Sequence, residues 1–188
     1  WQIVRKMPKG ALLHCHIEAM GDLDWLIEEA FNTEGICISA DVPLDSPTAL
    51  QNSPFIFRHV KSPSTAESQS IWTPINVAAT NFPDGGKEGF VRWFKSRVTI
   101  TRQESLDQHL GPNAVWRKFT SCFGILASLQ HYEPIFRKFI RNMLQGLLAD
   151  GVRWVDIRSV FVVPFTRAGE EKPDEDYVGM LQALQEEI

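Results

Sequence analysis

The sequence predicts an α/β fold built from strand–helix units, and three observations carry that expectation. A short apolar run at residues 10–18 leads straight into a segment with helical spacing that starts near Asp22. Two more helical segments follow Asn113 and end at Asp150-Gly151. That pair opens the most strand-like stretch in the chain, residues 152–163, before helical spacing returns at Asp174. Strands alternating with helices in this order point to parallel pairing.

The bulk composition narrows the function classes. The chain has 188 residues, of which 44% are hydrophobic and 11% aromatic, enough for a real core and too apolar for a disordered segment. The net charge is −4 and no basic run occurs, so no nucleic-acid footprint is visible. No apolar stretch approaches the roughly 20 residues that a membrane helix needs. Cys15, Cys37 and Cys122 lie far apart, in neither a C-x-x-C metal pattern nor a dense disulfide framework, and their odd number favours free thiols. The first residue is Trp1 and the last helical segment stops at Ile188 without a stop signal. The chain is therefore expected to be part of a longer one, with any signal peptide lying outside it.

Each element has its own justification. In the first strand Ala11, Leu12 and Leu13 follow the opening Lys9-Gly10. The first helix is marked by Leu23, Leu26, Ile27, Ala30 and Phe31, with Glu28 and Glu29 facing away and Asp22 or Asp24 as its cap. Residues 32–112 differ in character. Six of the eleven prolines fall within 43–83 among many Ser and Thr, which marks an insert with only partial order on the first strand–helix loop. Within it, 55–60 and 71–75 read as short strands, Asp84-Gly85-Gly86 as a turn and 90–94 as a short helix. Val115, Trp116, Phe119, Phe123, Leu126 and Leu129 then give one helical face. Pro134 breaks the run, and Ile135, Phe136, Phe139, Ile140, Met143, Leu144, Leu147 and Leu148 give another. Gly151 suits the left-handed position after a helix. The resulting division is 1–31 for the first strand and helix, 32–112 for the insert, and 113–188 for the helices, the second strand and the start of the next helix.

The chemistry concentrates at the end of the first strand, in Met7-Pro8-Lys9-Gly10-Ala11-Leu12-Leu13-His14-Cys15-His16-Ile17-Glu18. Side chains alternate along a strand, so Leu12, His14, His16 and Glu18 are expected on one face, with Cys15 packing on the other. Two imidazoles two residues apart converge on one point. Neutral imidazole is the commonest protein metal ligand, and a nitrogen pair suits Zn²⁺. In parallel α/β barrels the strand ends carry the chemistry. Asp156 and Arg158 share a face of the second strand and read as a buried ion pair or hydrogen-bond network supporting the barrel, with pocket shaping as the other reading. Trp116 shares its helical spacing with Val115, Phe119 and Phe123, which reads as core.

The first-strand segment resembles the metal-dependent adenosine deaminases. It is closest to their adenosine deaminase-related growth factor branch, fungal members included, whose pattern is roughly M-P-K-G-x-L-L-H-x-H. The stretch from Ala114 to Ile140 resembles that branch's W-x-x-F helix with its later Tyr-x-Pro-x-Phe. The strand from Gly151 resembles one that usually ends in Glu-x-Arg, where this chain has Asp156 and Arg158. The resemblance implies the N-terminal portion of a (β/α)8 barrel of the amidohydrolase type, left incomplete by this chain, with one catalytic Zn²⁺. His14 and His16 fall on the family's metal ligands. Glu18 falls on its ribose-holding acid, more often Asp. Trp116 falls on a nucleoside-pocket wall. Residues 32–112 fall on an inserted domain implied to serve partner binding and homodimerisation. The implied reaction is hydrolytic deamination of adenosine or 2′-deoxyadenosine to inosine or deoxyinosine. The branch is often secreted, which implies export, although the residues themselves are equally compatible with a cytoplasmic protein.

The family also uses a third His, an Asp ligand, a general-acid Glu in an H-x-x-E motif and a further His. His59 is followed by Val-Lys-Ser, His109 by Leu-Gly-Pro and His131 by Tyr-Glu-Pro, so no residue of this chain is assigned as the general acid. The chain alone is expected to be inactive, with the activity belonging to its full-length parent. Two other readings stand beside this one: a different one- or two-metal amidohydrolase, and a catalytically silent growth-factor-like or nucleoside-binding protein.

Overall fold

The computed structural model describes residues 1–62, 72–106 and 111–188. The expected strand at 71–75 begins outside them, and His109 lies outside them.

A short exposed helix, α1 (Gln2–Lys6), precedes β1 (Leu12–His16), and a 3₁₀ turn at Ile17–Ala19 ends that strand. Helix α2 (Leu23–Asn32) follows, and Asp22 caps it by accepting a hydrogen bond from the Asp24 N–H at 2.8 Å. Leu26, Ile27, Ala30 and Phe31 are its buried stripe, as the spacing predicts. Next come β2 (Ile36–Ala40), α3 (Pro47–Asn52), β3 (Phe55–His59), β4 (Thr73–Pro74), α4 (Ile75–Thr80), α5 (Gly86–Val98) and α6 (Arg102–Leu106). The expected helix at 90–94 is thus a 13-residue element, and Gly85 takes the left-handed conformation (φ 86°) that starts it. The long helices α7 (Gly111–Gln130) and α8 (Glu133–Ala149) are separated at His131-Tyr132, and Pro134 sits in the first turn of α8. Gly151 follows with φ 85°, then β5 (Val155–Arg158) and α9 (Val178–Glu187).

Two open sheets result, in a mixed α/β arrangement without a closed barrel. β1 and β5 pair in parallel, with His16 opposite Arg158 and Cys15 opposite Ile157. β3, β2 and β4 form an antiparallel sheet in that order. β5 is much shorter than the expected strand at 152–163. Among the described residues its only partner, β1, ends at His16, so residues beyond Arg158 have no ladder there to extend, and Val160, Phe161 and Val162 are left exposed.

One apolar cluster joins α2, β2, β3, α4, α5 and the C-terminal half of α7. Phe31, Phe82, Phe90 and Trp93 meet there at centroid distances of 5.4–6.0 Å. A second cluster sets Ile17 against Phe136, Phe139, Ile140 and Met143 of α8, with Phe165 and α9. Trp25 packs against both. All three cysteines are free and buried, and burial pushes the Cys37 thiol up.

Glu133 fastens α8 to the loop before α9. Its carboxylate accepts hydrogen bonds from Arg137 Nε and Nη2 at 3.0 and 2.9 Å and from the Ala168 N–H at 3.1 Å. Burial alone would raise its pKa. The Ala168 N–H and the Arg137 guanidinium together outweigh burial and hold the carboxyl below the ordinary 4.5. The folded chain therefore binds this proton less tightly than the unfolded chain. The contribution to stability is complete above about pH 4.5 and disappears as pH falls through the lowered folded value. Glu133→Gln is expected to cost about 1–2 kcal/mol at pH 7 and to reduce the acid-side fall in melting temperature. Melting curves between pH 3 and 7 read it, and an unchanged acid limb would show that the contact carries no stability.

Candidate functional site

The end of β1 presents the histidine pair. His14 and His16 lie on the same strand face, and their Nε2 atoms are 3.3 Å apart, with ring centroids at 5.1 Å. Cys15 faces the other way, buried, with its thiol donating to the Asp156 carbonyl at 3.6 Å. Burial, then the Asp156 charge, raises the Cys15 pKa, so this thiol is a poor ligand and a poor nucleophile.

Glu18 does not share the histidine face. β1 ends at His16, and Glu18 sits in the 3₁₀ turn, which sends its side chain inward towards the end of α7. Glu18 is only 1% exposed. The expectation of one continuous face fails because alternation holds only while the backbone stays extended. The Gln130 side-chain N–H₂ donates to the Glu18 carbonyl at 3.3 Å, and Glu18 Oε1 lies 3.5 Å from His131 Nε2. That spacing is within ion-pair range but is long for a hydrogen bond. Both carboxylate oxygens, the Gln130 side-chain oxygen and His131 Nε2 are buried without a hydrogen-bond partner among the described residues. Sequence reasoning missed Gln130 and His131. At the end of an apolar helix they look like ordinary polar punctuation, and only their placement beside Glu18 distinguishes them.

Trp116 is 64% exposed, not core. The N-terminal half of α7 carries the expected apolar face, but among the described residues no element covers it. Trp116 and Phe119 meet tilted at 5.3 Å, Phe119 and Phe123 meet edge-to-face at 5.0 Å, and Phe123 meets the His16 ring edge-on at 5.6 Å. An aromatic rail therefore runs from Trp116 to the histidine pair. Two hollows flank it. One of about 550 Å³ is lined by Trp116, Val115, Phe119 and Ile100. The other, of about 360 Å³, is lined by Glu18, Phe119, Phe123, Cys122 and Ile100. Both are lined by Ile100 and Phe119, and Glu18 is the one charged residue among the described residues that line the second. Asp156 and Arg158 do pair at 2.8 Å, but on the surface, with side chains 42% and 49% exposed. They correct the expected buried pair: among the described residues nothing covers the face of β5 they stand on.

The chemistry of the pair fits zinc. Two imidazole nitrogens on one tetrahedral Zn²⁺, each about 2.05 Å from it, lie roughly 3.3–3.4 Å apart. The 3.3 Å seen between His14 and His16 matches that bite, although the same spacing also suits an N–H···N hydrogen bond. The pair accounts for two of four ligands. Among the described residues no group of three or more His, Cys, Asp or Glu is gathered to hold a metal.

No protein-family profile matches the sequence. Individual proteins do. The chain is 24% identical to "Adenosine deaminase" of Phlebotomus duboscqi over 188 residues, 100% of this chain and 34% of that protein. It is 27% identical to "Adenosine deaminase 2" of Homo sapiens over 183 residues, 93% of this chain and 32% of that one. It is 24% identical to "Adenosine deaminase 2" of Dictyostelium discoideum over 184 residues, 98% and 31%. These relatives are animal and amoebal, so the expected fungal affinity finds no support in them. Nearly all of this chain is thus similar to about a third of each relative's length, which makes it a distant homologue of the adenosine deaminases.

Proposed function

We propose that the protein carrying this chain is a zinc-dependent hydrolase that deaminates adenosine or 2′-deoxyadenosine, with this chain supplying the opening strands and helices of a (β/α)8 barrel. One observation carries the reading: a histidine pair with a zinc-like bite stands at the end of an aromatic rail beside a buried carboxylate. The homology to adenosine deaminases supports it.

His14 and His16 would hold the metal through Nε2. A zinc ion held there would supply Lewis acidity that lowers the pKa of a water for hydrolytic attack. The chain's own residues do the rest of the binding. Phe119, Phe123 and Trp116 offer flat apolar surface to a purine. Glu18, with two acceptor oxygens free, takes hydrogen bonds from sugar hydroxyls. The walls of the two hollows keep water away from the base. Residues 32–112 are read as the partner-binding insert, with homodimerisation as their expected role and light scattering as the check.

The test is ammonia release from adenosine and 2′-deoxyadenosine by the zinc-loaded full-length parent, with residues 1–188 alone expected to be silent. Replacing His14 and His16 together by Ala is expected to lower zinc affinity by about 100-fold or more, read by competition with a chromophoric chelator. Unchanged zinc affinity would remove the metal assignment. Nucleoside binding without ammonia release would favour the binding-only reading instead.

A further inference from the structure

We propose that Arg58, His59 and Lys61, at the end of β3, latch the loop that leaves the histidine end of the β1–β5 sheet, so that the three-stranded sheet governs how far this loop opens. The proposal goes beyond the reaction assigned above and does not depend on it.

The latched parts are distant in the chain, with 113 residues between Arg58 and Glu171. β5 runs parallel to β1 and Arg158 stands opposite His16, so the chain after Arg158 departs from the sheet end that carries the histidine pair. Val160, Phe161 and Val162 in the departing arm are exposed. The loop is next held at Phe165, which is buried against Phe136, and then at its contacts with β3. β3 lies at the edge of its sheet, with Phe55, Phe57 and His59 covered and Ile56 and Arg58 exposed.

Both faces of the strand end reach the loop. Arg58 Nε and Nη2 donate to the Glu171 carbonyl at 3.2 and 2.6 Å. The Lys61 N–H donates to Glu171 Oε1 at 2.5 Å, and Lys61 Nζ stands 3.4 Å from Glu170 Oε2. His59 Nδ1 lies 2.8 Å from the Glu170 carbonyl. A carbonyl can only accept, so Nδ1 carries the hydrogen and donates. The buried imidazole lies flat on Tyr132, with 4.7 Å between centroids and 7° between planes. The Tyr132 hydroxyl in turn accepts from the Gly169 N–H at 3.0 Å, on the same loop. A Cβ at Gly35 would stand 2.6 Å from the His59 ring, which is therefore enclosed on that side as well. The Lys61–Glu170 ion pair is more than half exposed and contributes little. The buried His59 hydrogen bond and its stack carry most of the latch, because a buried donor that loses its acceptor is costly.

The loop carries its own reporters. The amides of Ala168, Gly169 and Glu170 donate to Glu133, Tyr132 and Arg167, none of them a β3 residue. Their exchange with solvent reports loop opening and not a bond removed by a substitution in β3.

Amide hydrogen exchange on the full-length parent tests the latch in four proteins: unaltered, His59→Leu, His59→Gln and Arg58→Ala. His59→Leu is expected to speed exchange at Ala168, Gly169 and Glu170 by about 10-fold and to leave the α5 amides around Phe90 unchanged. His59→Gln, which keeps a donor, is expected to recover part of the protection. Arg58→Ala, on the exposed face of β3, leaves the core intact and is expected to speed the same three amides by about 3-fold. Unchanged loop exchange in both His59→Leu and Arg58→Ala would overturn the latch. An equal rise in α5 would overturn it too, since that marks loosening of the whole fold rather than release of one loop. Should His59→Leu fail to fold, Arg58→Ala decides alone.

Discussion

Replacing Phe90 by alanine is expected to remove about 3–5 kcal/mol of stability. Phe90 is 0% exposed on α5 and touches Phe31 of α2, Phe82 and Trp93. Its ring adds an apolar link between α5 and α2, which are also joined by the Lys87–Glu28 and Lys95–Asp24 ion pairs. Truncation opens a cavity among aromatic neighbours that are fixed by their own contacts, so collapse into the space is limited. A domain of ordinary stability has roughly 5–15 kcal/mol in total, so the variant would sit near the edge of folding. Urea denaturation followed by tryptophan fluorescence measures this. A lower midpoint at unchanged slope is the expected result. Leu148→Ala, at a position exposed on α8, is the comparison and should move the midpoint little. A loss below about 1 kcal/mol for Phe90 would show that this aromatic group is not one cooperative core.

Replacing Glu18 by methionine is expected to have the opposite sign. A buried carboxylate with no protein donor carries its full desolvation cost, and an apolar side chain of similar length removes that cost. Stability should rise by about 1 kcal/mol or more, while adenosine affinity falls. Thermal melting and calorimetry on the same protein give both numbers. A stability loss like that of the Phe90 variant would mean that Glu18 holds the fold together and would undercut its assignment to ligand binding.

Both predictions concern places that the sequence marks unequally. Phe90 was legible as part of a helical run, although the length of α5 was not, because a window of five residues does not show how far polar residues continue the turn. Helices α2, α7 and α8 were legible because their apolar positions repeat at 3.6 residues. The histidine pair was legible because alternation puts residues i and i+2 on one face of any strand. Glu18 was visible as a residue, but not its position, since nothing in Ile17-Glu18-Ala19 marks the passage from extended backbone to a 3₁₀ turn. The expected run at 152–163 had the composition of a long strand. Its length was decided by β1, the partner it needs for hydrogen bonds.

What the sequence alone determined was local: which segments form helices, that the chain alternates strand with helix, that two imidazoles converge at the end of β1, and that Gly151 ends α8. Those properties depend on backbone sterics and side-chain period, which act over a few residues. Only the tertiary structure decided that the Trp116 face of α7 stands open, that Asp156 and Arg158 pair on the surface, and that Glu18, Gln130 and His131 meet in a buried polar cluster. Such features depend on segments far apart in the chain, and on which groups the fold desolvates without giving them a partner.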